Sequence, residues 1–168
     1  MTLPDLVLYD EEFRKIKDSL HRLASDANAN VVFLVDKNGQ QIAAVGDLQS
    51  LDTTSLASLT AGNVAATDGL AKLIGEREFS VLFHEGQRDH IHISIVAKRA
   101  ILLVIFDERS SLGLVRLRVK RSSQEMEQTF EEMMFGFMSV IDPSEDVTTP
   151  SSSSEDDVDE DFSGRASF

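Results

Sequence analysis

The chain has no cysteine among its 168 residues. That absence excludes disulfides, thiolate zinc sites and cysteine nucleophiles together, and a reducing cytoplasm fits it. No apolar run approaches the ~20 residues that span a bilayer, so no membrane insertion is expected. Met1–Leu8 lacks the basic region and long apolar core of a signal peptide. No GxxxxGK(S/T) or GxGxxG sets closely spaced glycines between a strand and a helix, where backbone amides would cradle phosphates. GxSxG is absent as well. Positive charge is scarce, and the net charge is −13. A chain of this sign gains nothing from phosphate backbones or anionic lipid, which argues against nucleic acid and membrane surfaces as partners.

What remains is a globular composition, 42% hydrophobic, long enough for one domain plus an extension. The charge is unevenly placed. Residues 142–168 hold nine acids against Arg165 alone, −8 of the total, which leaves −5 for residues 1–141. That segment is Ser, Asp and Glu with scattered apolar residues. It reads as a disordered acidic tail following a folded domain at 1–141.

Periodicity divides the domain. Phe13, Ile16, Leu20 and Leu23 draw one stripe on a first helix beginning near Asp10 and ending near Asp26 to Asn30. Val31–Asp36 and Gln41–Val45 flank Asn38-Gly39, the pattern of a hairpin closed by a type I′ turn. A second helix is expected from Thr54 to Ile74, with a cap at Asp52 to Thr54. Strands follow at Phe79–His84, His90–Val96 and Ala100–Phe106, the last two joined at Lys98-Arg99. Ala100–Phe106 (AILLVIF) is continuously apolar, as a central strand buried on both faces should be. A third helix runs from Ser110-Ser111 to about Met134, with Leu114, Leu117, Met126, Phe130 and Met133 toward the sheet. The order α-β-β-α-β-β-β-α, rich in hairpins, predicts an α+β sandwich of two or three layers around a mostly antiparallel five-stranded sheet. The first and third helices would share one face.

Few residues suggest chemistry. His90 and His92 alternate along one strand and His84 could lie beside them, but no carboxylate completes a metal set in sequence, so they read as polar residues on a solvent-facing or subunit face. Asp107-Glu108 reads as a solvated strand end. Arg116, Arg118, Lys120 and Arg121 read as a solvated helix face, or as a contact for an acidic partner or the chain's own tail. No metal, cofactor or catalytic residue is assigned.

The second helix carries more information. Ala57, Ala61, Ala65 and Gly69 recur every four residues, with Gly62 and Ala66 beside them. Two glycines inside a helix cost about 1 kcal/mol each relative to alanine. Close packing on the sheet would offset that cost, and so would a helix contact across a subunit or partner interface.

The stretches VVFLVDKNGQQIAAVG, LDTTSLASLTAGNVAATDGLAKLIGE, FHEG and ILLVIFDERSSLGLVRLRVK resemble the Roadblock-domain family over roughly residues 6–135. The resemblance implies a Roadblock-type, profilin-like sandwich that forms a homodimer, the second helix and the strand after it pairing across the two-fold axis. It implies a cytoplasmic regulator of cell polarity and motility with a place at a cell pole, not an enzyme. Its partner would be a bacterial Ras-like small GTPase of the MglA type in its GTP form. The activation implied for that GTPase supplies no arginine finger and repositions catalytic residues that the GTPase already carries. The GTPase-binding or dimer surface is carried onto Thr60, Ala61, Val64, Ala65, Asp68 and Gly69. In the tail, Val158, Asp159 and Phe162 form a candidate acidic contact with the partner. A scaffold that localises the GTPase without activating it would look the same in sequence. A small-molecule sensor is a further alternative.

Overall fold

Ala100–Phe106 is the middle strand of a five-stranded sheet in the order β2-β1-β5-β4-β3, where β1 is Val31–Asp36, β2 Gln41–Gly46, β3 Val81–His84, β4 His90–Val96 and β5 Ala100–Phe106. Every neighbouring pair is antiparallel. The computed structural model describes residues 10–141, and the tail expectations at Val158, Asp159 and Phe162 lie outside them. Alternate residues of each strand point to opposite faces, so two cores form. On one face, α1 (Asp10–Asp26) and α3 (Leu112–Ile141) cover Val32, Leu34, Leu102, Val104 and Phe106. On the other, α2 (Thr53–Leu73) lays Ala57, Ala61 and Val64 on Val31, Phe33, Val35, Ile101 and Leu103. This is the expected sandwich, in three layers.

In α3 the buried stripe is Val115, Val119, Ser122, Met126, Phe130 and Met133, while Leu117 is 63% exposed. One helical turn before Met126 the stripe falls on a serine, which hides it from a reading that looks for bulky residues. Ser122 is buried because its hydroxyl meets that of Ser19 on α1 at 3.0 Å, so neither is left unpaired. The helix also continues to Ile141, past the expected end near Met134.

The two hairpin turns differ from expectation in complementary ways. At Asn38-Gly39 only Gly39 has positive φ (87°), so the turn is not type I′. Asp36 accepts from the backbone N–H of both Asn38 and Gln40 at 2.9 Å through one carboxylate oxygen. The Gly39 N–H closes on the Asp36 carbonyl at 3.1 Å. That side-chain cradle favours a wider loop, and the strand register shifts between Leu34 and Val35. The glycine is needed twice over, since a Cβ there would come 3.3 Å from the Ser58 Cα of α2. The type I′ geometry appears instead between β4 and β5. Ala97 (φ 53°) and Lys98 (φ 58°) both sit in the left-handed region, and the Arg99 N–H bonds the Val96 carbonyl at 3.1 Å. Neither residue is glycine, so each carries steric strain. Lys98→Gly is expected to raise unfolding stability by about 1 kcal/mol, measured as a higher urea midpoint.

Candidate protein-interaction surface

Asp52 starts α2. Its carboxylate accepts from the Ser55 N–H at 3.1 Å and the Ser55 hydroxyl at 2.6 Å, and these bonds hold it below the ordinary carboxylate range. The helix that follows has three different sides. Ala57, Thr60, Ala61 and Val64 are buried on the sheet. The hydroxyl of Thr60 is satisfied within the helix, on the Leu56 carbonyl at 2.6 Å. Thr60, Ala61 and Val64, expected at the contact surface, are therefore already covered within the protomer.

Ala65 and Gly69 are exposed. The reason is geometric. A four-residue step turns about 400°, so a row of every fourth residue drifts by about 40° per step. The row Ala57, Ala61, Ala65, Gly69 thus begins on the sheet and ends facing outward. Between the two lies Asp68, half-buried, with one carboxylate oxygen buried and unpartnered among the described residues. Among the described residues, Cβ atoms added at Gly62 and Gly69 would meet nothing within 4 Å. Packing inside the protomer therefore does not explain either glycine.

The side opposite the sheet was not anticipated. Leu59 (73% exposed), Leu70 (56%) and Leu73 (83%) stand on one stripe with the exposed Ala66, and Ile74 follows. These large apolar residues lie where a lone domain should present polar ones. Their own spacing makes a second stripe in the sequence, beside the row of small residues. Asn63 bonds His84 of β3 at 3.0 Å and ties the helix to that strand. Among the described residues β3 is an edge strand with one side unpaired, and its Val81 is 44% exposed.

The family model for the Roadblock/LC7 domain matches residues 15–106, more than half of the chain. The chain belongs to the Roadblock/LC7 family. Its fold is that of a solved MglB from Myxococcus xanthus, with 61% identity over 76% of this chain and 96% of that one and a TM-score of 0.72. The MglB of Thermus thermophilus, described as a gliding protein, is 34% identical over 78% of this chain and 99% of its own, also with a TM-score of 0.72. A profilin from Acanthamoeba castellanii shares the sandwich at 12% identity and a TM-score of 0.51, a likeness of fold alone. No curated protein matches.

The three strand histidines of this Roadblock domain are dispersed. His84 faces α2, whereas His90 and His92 face α3, so the three do not converge. His90 packs its ring on Phe83 and Phe106. His92 is not on a solvent-facing side, as the sequence suggested, but 1% exposed beneath α3, with Nδ1 unpartnered among the described residues. Burial first, and Arg116 second, lower its pKa. The native domain thus resists a proton that the unfolded chain accepts below about pH 6.5. Its stability contribution is complete above that pH and is lost as pH falls through the lowered native value. His92→Leu is expected to flatten the slope of melting temperature against pH below 6.5 and to cost nothing at pH 8, since it removes a buried polar atom lacking a partner.

At the end of β5, Glu108 is exposed as expected, whereas Asp107 is half-buried and paired. It binds the Arg109 side chain and backbone and the Asn30 amide, with Arg109 the main cause of a carboxyl held well below the usual range. Arg109 also reaches the Asn30 carbonyl oxygen of the side chain, and its backbone carbonyl accepts from Asn28 at 2.8 Å. These contacts lock the β5–α3 turn to the loop between α1 and β1.

Proposed function

We propose that this Roadblock domain is an MglB-like homodimeric regulator that activates GTP hydrolysis by a Ras-like small GTPase of the MglA type, with no catalytic residue of its own. The observation that carries the reading is α2: a helix with an exposed leucine stripe, two glycines open to approach and an unpaired edge strand beside it. Leu59, Leu70, Leu73 and the β3 edge are suited to a second copy of the chain, where strand pairing and leucine burial would both be satisfied. Ala65, Asp68 and Gly69 lie on the flank and are suited to the GTPase. The names of its relatives, MglB and a gliding protein, support a role in motility, and a place at a cell pole belongs to the same proposal.

Phosphoryl transfer needs positioning and charge stabilisation more than covalent help. A surface that binds the hydrolysis-competent switch loops more tightly than the resting ones accelerates the reaction by that difference in affinity. Tenfold needs only about 1.4 kcal/mol. The test is single-turnover GTP hydrolysis by the Ras-like GTPase of the same organism, with two copies of this chain per GTPase. Acceleration of tenfold or more supports the reading. Binding to the GTP form without acceleration would leave a scaffold instead.

A further inference from the structure

Residues 112–124 contain Arg116, Arg118, Lys120 and Arg121 and no acid, in a domain that is otherwise acidic. Among the described residues only Arg121 of these four has an ion-pair partner, Glu125 at 3.6 Å, and the buried Nε of Arg118 has no hydrogen-bond acceptor. Arg116 and Lys120, one turn apart, edge a groove of about 390 Å³ between α3 and the β3–β4 strands. Its floor is apolar at Val81 and Val119, with His92 and Ser94 beneath. Both of these are more than nine-tenths buried, and His92 Nδ1 and Ser94 Oγ have no partner among the described residues. Such a groove suits a segment that is both acidic and apolar. The chain carries one. Residues 155–162 read EDDVDEDF, six acids around Val158 and Phe162.

The span is adequate. From Ile141 back to Arg116 along α3 is about 38 Å at 1.5 Å per residue. The fourteen residues from 142 to 155 reach up to about 46 Å when extended. Tethering also raises the effective concentration of the segment at the groove.

We propose that the acidic segment 155–162 docks back onto the basic first half of α3 in its own chain, its acids on Arg116 and Lys120 and its Phe162 in the groove. The contact lies on the sheet face opposite α2, so it leaves the helix of the proposed GTPase contact free. Any partner that takes the tail must first compete with α3. The inference stands apart from the GTPase reading, because every readout below is on this chain alone.

With no native cysteine, Ser163→Cys in the full chain carries a single nitroxide label. At 50 mM salt the amide signals of Val81, Ile95 and residues 116–123 should lose at least half their intensity relative to the reduced label. Intensity should return at 0.5 M salt, where screening is strong, and in the exposed double variant Arg116→Glu/Lys120→Glu, with its fold checked by unchanged α1 and β5 signals. A mixture of unlabelled isotope-enriched chain with labelled unenriched chain should show no such loss. Undiminished groove signals at low salt would overturn the proposal, as would broadening centred on α2 or broadening that survives charge reversal. Loss in the mixed sample would move the tail onto a second copy and overturn docking within the chain.

Discussion

Gly46→Ala should destabilise the domain by about 3 kcal/mol, a large share of the 5–15 kcal/mol typical of a domain. Gly46 ends β2 opposite Val31 with φ at 115°, outside the range of L side chains. An added Cβ would strike the carbonyl oxygen of Asn30 and stand 2.9 Å from the Val31 Cα. Both are backbone atoms held in place: the Asn30 N–H bonds the Ile105 carbonyl at 2.8 Å, and the Asn30 carbonyl accepts from Asp47 at 3.1 Å. Neither can swing aside as a side chain would. The expected result is a lower urea midpoint with an unchanged slope. Gly62→Ala, in open space on α2, should instead stabilise the isolated domain by about 1 kcal/mol. The opposite signs make the pair its own control. A loss below about 1 kcal/mol for Gly46→Ala would contradict the strand end described here.

The second large effect is on binding. Ala65→Arg/Gly69→Arg should weaken binding of the GTP-loaded GTPase about a hundredfold, roughly 2.7 kcal/mol, and abolish any acceleration of hydrolysis. Two long cations would fill a surface that small residues leave flat. Folding should be unharmed, since both positions are exposed and arginine is a better helix former than glycine. Titration calorimetry and a thermal melt on the same sample separate the two consequences. Unchanged affinity would remove Ala65 and Gly69 from the contact. A change from dimer to monomer by light scattering would assign them to the subunit interface instead. The same substitution at Ala61 or Val64 would say nothing about partners, because those side chains are buried on Phe33 and its neighbours and would report through the core.

Much of the architecture is legible in the sequence. Phe13, Ile16, Leu20 and Leu23 repeat at helical spacing, and AILLVIF had to be a strand covered on both faces, because local pattern and burial agree there. Legibility failed where a side chain answers to a distant or an unusual partner. Asp36 widens its turn by binding backbone two and four residues on, and Ala97-Lys98 takes a type I′ turn with no glycine to announce it. Ser122 interrupts an apolar stripe because Ser19, on another helix, satisfies it. Asp107 belongs to Asn30 and Arg109, and His92 to a core whose lid is α3.

The interaction surface divides the same way. That α2 is built of small residues and that the tail is acidic could be read from the chain alone, since composition and spacing are its own properties. Which small residues are covered and which are open follows only from how the elements pack. The four-residue row drifts about 40° per step across the sheet, so Ala61 is taken up by the core, and Ala65, Gly69 and the leucine stripe are left exposed.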